Sequence, residues 1–184
     1  QNYRSVTFSD LRVVNPSFQI DPNIRDESGF SIDLGQLSRY LGDRVTMDMS
    51  LFGMLYDNRI GLILNDRAER VRKNIGSAFI TGLEALMKIQ LMGKSEKRIH
   101  PKGLSMAVWC NWSGTHSVYL NSQESNVTGN RVEFVPVSII RSGFDARFKN
   151  WSISFQTSHT GIQYTDAQNS ETLAVGDLRE GLIG

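Results

Sequence analysis

The chain has 184 residues, 40% of them hydrophobic and 21% charged, which is typical of one soluble globular domain with a single core. Its net charge of +1 excludes a chain that binds polyanions through overall charge alone, and its single cysteine, Cys110, excludes an internal disulfide and a cysteine-based zinc site. No apolar run reaches the roughly 20 residues that a membrane-spanning helix needs.

The first part of the chain mixes short apolar pieces with turn-forming residues. Two X-Pro steps and a Ser-Gly step favour turns, so residues 1–30 are predicted to form an irregular segment. In the next segment, 31–42, Leu34, Leu37 and Leu41 recur at helical spacing before a glycine, which predicts a short helix.

Residues 45–51 alternate strictly between apolar and polar side chains, which predicts a half-buried strand with one wet face. The apolar side of this strand carries Val45, Met47, Met49 and Leu51. The pair Asp57-Asn58 predicts a turn. The run from Ile60 to Leu64 is apolar on both faces, so this strand is expected to lie deeper in the protein.

From Arg67 onward the period of the apolar residues changes. Val71, Ile75 and Phe79 stand four apart among basic residues, which predicts a short helix that is interrupted near Gly82. The following residues, up to Met92, fit a helix and a strand equally well, and both interpretations stay open. The segment after them is rich in lysine and predicts a basic loop.

The last third of the sequence has the pattern of an all-β region. Residues 104–112 and 151–155 alternate as strands do. The run 131–140 is apolar and β-branched, but it contains Pro136, which lacks an amide donor and therefore predicts an edge strand or a bulge. Residues 162–184 are predicted to be a docking segment or a flexible one.

Taken together, these elements predict a mainly β fold in one domain over residues 1–184: a β-sandwich or jelly roll with one or two short helical insertions. No metal-ligand spacing connects His100, His116 and His159, and no phosphate-binding or nucleophile motif occurs. The sequence therefore predicts no enzyme, no metal, no cofactor and no small-molecule substrate.

Positive charge is concentrated in one region of the chain. Residues 66–102 hold nine basic side chains and four acidic ones, a net charge of +5. A charge run of this kind is either a solvated helix face or a surface that tracks nucleic-acid phosphates. On the second interpretation, the phosphate-binding residues are Arg70, Arg72, Lys73, Lys94, Lys97, Arg98 and Lys102.

The stretch "IGLILNDRAERVRKNIGSAF" resembles the core signature of the 30K superfamily of plant-virus movement proteins. Asp66 falls on the position of the signature aspartate, Arg67 follows it, and Gly76 falls near the glycine beyond it. The similarity extends over roughly residues 45 to 145. In this comparison Asp66 has a structural role, capping the next helix or pairing with an arginine.

The resemblance implies a β-sandwich related to viral capsid proteins. It also implies binding of single-stranded RNA or DNA without sequence preference, self-association, peripheral contact with host membranes, and localisation to plasmodesmata or the cell periphery. Two alternatives stay open. One is a viral coat or matrix protein located in the virion, and the other is a secreted binding module that uses the glycosylation sequons at Asn111, Asn126 and Asn150.

Overall fold

The computed structural model describes residues 2–4, 18–67, 69–93, 103–170 and 172–173. This part of the chain contains ten strands and no helix, and a search of it for a helix able to cross a membrane finds none. The strands are β1 (Asn2–Arg4), β2 (Phe18–Ile20), β3 (Glu27–Tyr40), β4 (Val45–Leu64), β5 (Arg70–Met92), β6 (Leu104–Ser122), β7 (Ser138–Phe148), β8 (Trp151–Thr160), β9 (Gln163–Tyr164) and β10 (Thr172–Leu173).

Eight of these strands form one sheet. Seven of them follow the order β1-β3-β4-β5-β6-β7-β8, and the eighth, β2, lies beside β5 off this path. All neighbours in this order are antiparallel, and from β3 to β8 each strand pairs with the next one along the chain. The short strand β2 pairs in parallel with the start of β5, while β9 and β10 form a separate pair. The main body is therefore an antiparallel meander of long strands.

The register of the meander separates apolar from polar side chains. Met47 lies opposite Met87, and Met87 lies opposite Cys110. Alternate side chains along a strand point to opposite faces of the sheet. Paired residues two positions away along each strand therefore lie on the same face as Met47, Met87 and Cys110. We call one side the apolar face; its exposed members include Phe30, Ile32, Leu34, Leu51, Leu55, Trp151 and Ile153. The opposite side is the polar face.

Within the described residues, no second layer covers the apolar face. Leu34 is 73% exposed, Ile153 is 60% exposed and Trp151 is 76% exposed, whereas core side chains are almost fully buried. A β-sandwich would bury one face of each sheet against the other. The mainly β prediction is therefore confirmed, but the β-sandwich or jelly-roll architecture is wrong, because the described residues form one main antiparallel sheet with an uncovered apolar face.

The buried core is small and lies at one end of the polar face. It combines residues from β4, β5 and β6 with residues from the segments 123–137 and 161–170. Its members are Ile63, Ile75, Ala78, Ile80, Tyr119, Val127, Val132 and Ala167. We call this end, where β6 is joined to β7, the loop end. At the opposite end, the turn end, residues 41–44 and 149–150 connect neighbouring strands tightly.

Both predicted helices are wrong, because the segments 31–42 and 67–82 lie largely in β3 and β5. Leu34 and Leu37 are on opposite faces of β3, so their helical spacing is coincidental. The spacing of Val71 and Ile75 misleads for a different reason. Residues four apart share a face in a strand as well as in a helix, and both side chains contribute to the core at the loop end.

Other local predictions have mixed outcomes. The alternation predicted for 45–51, 104–112 and 151–155 is confirmed by β4, β6 and β8, and the residues up to Met92 belong to a strand. The turn predicted at Asp57-Asn58 is instead an irregularity within β4, where the register with β5 shifts and Asn58 takes a positive φ of 52°. Pro136 precedes β7 instead of interrupting a strand. The division into domains stays a prediction.

Two aromatic side chains on the polar face lie flat over glycines of the neighbouring strand. Phe52 covers Gly82, and Trp109 covers Gly143. A Cβ atom at Gly143 would lie 2.6 Å from Cε2 and Cζ2 of Trp109 and 2.8 Å from the carbonyl oxygen of Phe155. The glycines therefore permit large aromatic rings to pack directly on the backbone of the sheet.

We expect Gly143→Ala to lower the free energy of unfolding by about 1–3 kcal/mol, because the new methyl group displaces the Trp109 ring and crowds the backbone of β8. The matched control is Gly35→Ala, where the nearest atom to the added Cβ is 3.7 Å away. Urea unfolding followed by circular dichroism measures both. Equal losses in the two variants would contradict this packing.

Candidate functional site

The turn between β4 and β5 is organised by Asn65. Its Oδ1 accepts hydrogen bonds from the backbone N–H groups of Arg67, at 3.0 Å, and Glu69, at 2.9 Å. Its Nδ2 donates to Oε2 of Glu69 at 2.8 Å, and the same carboxylate oxygen accepts from Nε2 of Gln19 at 2.7 Å. An asparagine that binds its own backbone two residues on is a usual way to close a tight turn.

The three proposed motif residues, Asp66, Arg67 and Gly76, have different structural roles. Asp66 and Arg67 are exposed in the turn, and no helix follows for Asp66 to cap. Gly76 lies in β5 with a φ of 148°, and a Cβ there would collide with the carbonyl oxygen of Asn121. Gly76 is thus required by the close approach of β5 and β6.

The basic residues proposed to bind phosphates do not project from a helix. Nζ of Lys73 forms an ion pair with Oε1 of Glu124 at 2.6 Å, and both side chains are largely covered. Arg70 and Arg72 are half-buried in β5, with β4 on one edge and β2 on the other. Lys94, Lys97, Arg98 and Lys102 lie outside the described residues. Of the seven proposed residues the structure describes three, so whether all seven form one cationic surface stays a prediction.

A buried acidic residue lies at the centre of the loop end. Glu133, in the segment between β6 and β7, is 3% exposed, and its Oε2 accepts a hydrogen bond of 2.7 Å from the hydroxyl of Tyr119. Gly61 of β4 makes room for it, because a Cβ at that position would overlap Oε1 of Glu133. Burial raises the pKa of the Glu133 carboxyl, while the Tyr119 hydrogen bond and the charge of Arg59 lower it in part.

The charge of Arg59 acts on this carboxyl and on a second one. Its Nη1 lies 3.9 Å from Oε1 of Glu27, which is 5% exposed and also accepts the N–H of Ile60 at 2.9 Å. The guanidinium lies 5.3 Å from the centre of the Tyr56 ring and interacts with Tyr119. One guanidinium therefore interacts with two buried carboxyl groups.

Sequence reasoning missed this cluster. Glu27, Arg59 and Glu133 come from three distant segments, and the only available signal was a single charged residue embedded in apolar neighbours, as in the run around Glu133. A charge in such surroundings is expected to be buried and to have a partner, but the sequence does not say which partner.

The rest of the polar face carries charges of both signs. Some are paired with hydroxyl groups: Ser50 donates to Asp33 at 2.8 Å, and Ser154 donates to Asp145 at 2.7 Å. No group of acidic, histidine or cysteine side chains able to hold a metal occurs within the described ranges. The strand registers place on this face Asp33, Arg39, Asp48, Glu84, Lys88, Arg141, Asp145 and Arg147.

The exposed apolar residues form a band that crosses the strands obliquely. On β3 the band covers residues 30–34, nearer the loop end, whereas on β8 it covers residues 151–155, next to the turn end. Phe148 and Trp151 line the border of the band at the turn end of β7 and β8, and Nζ of Lys149 lies 5.2 Å from the centre of the Phe148 ring. The band therefore lies in a single plane perpendicular to an axis only if the strands are tilted relative to that axis.

Comparisons with known proteins give a consistent result. The family model described as "TonB dependent receptor-like, beta-barrel" matches residues 1–178. The fold is similar to the ferric yersiniabactin uptake receptor FyuA from Yersinia pestis, with a TM-score of 0.56 and 20% identity, over 81% of this chain and 21% of that one. The chain thus spans about a fifth of that structure. A search of curated proteins finds no match.

These findings overturn the viral interpretation. The resemblance to plant-virus movement proteins is wrong, and so are the coat or matrix alternative, the single-stranded nucleic-acid partner with self-association, and the localisation to plasmodesmata, the cell periphery or the virion. The resemblance depended on a hydrophobic strand that ends in an Asn-Asp-Arg step. Such a step is equally typical of a hairpin turn in any sheet of long strands.

The turn gives a direct mutational test. Asn65→Ala removes the acceptor of two backbone N–H groups, so we expect the free energy of unfolding to fall by about 1–2 kcal/mol. Asp66→Ala, one residue away and exposed, should change it by less than about 0.5 kcal/mol. Chemical unfolding of both variants measures the difference. A larger loss at Asp66 than at Asn65 would restore a structural role for the aspartate.

Proposed function

Since the chain belongs to the TonB-dependent receptor-like β-barrel family, we propose that its sheet forms part of the membrane-spanning wall of an outer-membrane uptake receptor. The apolar face contacts lipid, and the polar face lines the interior of the barrel. The observation that carries this proposal is the exposure of large apolar side chains along one face of a sheet whose other face holds the charges. Transmembrane barrels have this alternation, since their strands separate lipid from a polar interior.

Energetics favour lipid over water at the apolar face. Soluble monomers rarely expose a continuous apolar patch of more than a few hundred Å². Here exposed apolar side chains continue over six neighbouring strands, from Phe30 on β3 to Phe155 on β8. Each Å² removed from water contributes about 25 cal/mol, so a hydrocarbon environment stabilises this face strongly.

The oblique course of the band and its aromatic border support the same assignment. Barrel strands tilt by about 35–45°, so a level apolar layer crosses the rows of paired residues at an angle. Phe148 and Trp151 would lie at the interface between lipid and water, where aromatic side chains are enriched. We propose that the turn end lies at one membrane surface.

Strand lengths support a position of the loop end outside the lipid layer. A tilted strand of about 9–11 residues spans a bilayer. β7 and β8 have 11 and 10 residues, but β4, β5 and β6 have 20, 23 and 19. The longer strands therefore continue past the layer and carry the core around Tyr119 and Glu133 into the aqueous region.

For the complete receptor we propose transport, not catalysis. The similar structure is named as an uptake receptor for a ferric chelate. By analogy, we propose that a metal chelate is the transported substrate and that TonB is the partner protein. The mixed charges of the polar face suit contact with a hydrated substrate or a polar protein segment. Uptake of radiolabelled ferric chelate by cells with and without TonB tests this, and equal uptake in both would refute it.

The membrane assignment predicts opposite tolerances on the two faces of β4. Leu51→Lys places a cation in the apolar band between Leu34 and Leu83, so we expect a loss of about 2–4 kcal/mol for folding into phospholipid vesicles. Ser50→Lys places the same cation on the polar face beside Asp33 and Glu84, where a loss below about 1 kcal/mol is expected.

Urea titrations of the protein folded in vesicles measure both variants. Equal stability of Leu51→Lys and Ser50→Lys would show that the apolar face does not contact lipid, because an exposed lysine costs little in water.

A further inference from the structure

Two segments close over the polar face at the loop end; we call residues 123–137 and 161–170 the cap. One side of the cap is bonded to the edge of β6, through Thr115 N–H to the carbonyl of Val137 at 2.8 Å. The other side reaches the edge of β4, through Ala167 N–H to the carbonyl of Leu62 at 2.8 Å. The two segments bond to each other through Val137 N–H and the carbonyl of Ile162, at 3.0 Å.

The buried side chains of the cap are apolar and polar. Val127, Val132 and Ala167 are fully buried against the sheet, and Glu133, Thr165 and Asp166 are buried as well. The carboxyl group of Glu133 accepts a hydrogen bond from the hydroxyl of Tyr119 at 2.7 Å and bonds from the backbone of Leu62 and of Glu133 itself, and it occupies the space left by Gly61. The side chain of Glu133 is thus a direct link between the cap and the strands beneath it.

We propose that Glu133 is a proton-controlled latch that holds the cap closed when its carboxyl is neutral and releases it when the carboxyl ionises. The groups that face it are Tyr119 from β6 and Arg59 from β4, and Glu27 of β3 competes for the same guanidinium. With both carboxyls ionised, one buried cation stands against two buried anions. Release exposes Glu133 to water, where its charge is solvated.

The direction of the pH effect follows from the burial of Glu133 when the cap is closed. Burial raises the pKa of Glu133 above its ordinary value of 4.5, and the partners offset this only in part. The closed cap therefore binds the proton more tightly than the open one. The extra stability of the closed cap is fully present below the ordinary pKa of Glu133. It is lost as the pH rises through the raised pKa of the closed state. Between the two values the opening constant rises tenfold for each pH unit.

In the proposed receptor the cap covers the end of the polar face that lies outside the membrane. Opening would uncover the charges of Glu27 and Arg59 and widen access to the interior. This consequence rests on the proposed function, whereas the latch itself is a property of the fold and is measured without any substrate.

Hydrogen exchange of the full chain in detergent micelles tests the latch. The readout is the protection factor, corrected for intrinsic exchange, of the amides of Val132 and Ala167, which bond from the cap to Oγ of Ser117 on β6 and to the carbonyl of Leu62 on β4. We expect wild-type protection to fall as pH rises, with a slope that approaches tenfold per unit. In Glu133→Gln, which stays neutral and can still accept from Tyr119, protection should stay flat.

Two further variants distinguish the latch from a general loss of stability. Tyr119→Phe removes a hydrogen bond that lowers the Glu133 pKa in the closed state, so the fall in protection should begin at the same pH and extend to higher pH. Glu124→Gln breaks the Lys73 ion pair at another point of the cap, so it should lower protection while the pH-dependent fall that Glu133 causes remains. A flat wild-type profile, or the same slope in wild type and Glu133→Gln, overturns the latch. If Glu133→Gln does not fold, Tyr119→Phe decides: a fall that extends to higher pH supports the latch and an unchanged profile overturns it.

Discussion

The register of the antiparallel meander is the constraint on which the rest of the structure depends. A slip of one residue in any strand would exchange its apolar and polar side chains between the two faces. The structure uses this sensitivity at the loop end. The pairing of β4 with β5 shifts near Arg59, and that of β5 with β6 shifts at Ser77 and Ala78. Beyond these shifts, Ile63 and Ile75 turn toward the polar side and build the core there.

The sequence predicted the alternation within several strands but not its meaning. The apolar residues from Val45 to Leu51 were expected to face a protein core, yet Leu51 is 55% exposed. A period of two shows that two faces differ and does not show which one meets a protein core, water or lipid. Spacing was ambiguous as well, because Val71 and Ile75 share a face in both a helix and a strand.

The site was less predictable than the fold, for reasons of chain distance. The basic run looked like one surface because charges were counted along the chain, but the cation of Lys73 is paired with Glu124 from another loop. The cluster at the loop end was missed for the opposite reason, because its residues are far apart along the chain. Glu27, Arg59 and Glu133 are single charges in the sequence and become neighbours only when β3, β4 and the cap come together. Such pairing requires the tertiary structure.

The long β4–β5 hairpin also carries a consequence for association between molecules. Its tip projects beyond the ends of β3 and β6, so both edges could offer unpaired backbone groups to another chain. One edge is covered by β2, and the other is covered by Ala167 and by the side chain of Gln168, which accepts the N–H of Leu64 at 3.0 Å. Covered edges cannot template strand addition, so this projecting element is protected against aggregation.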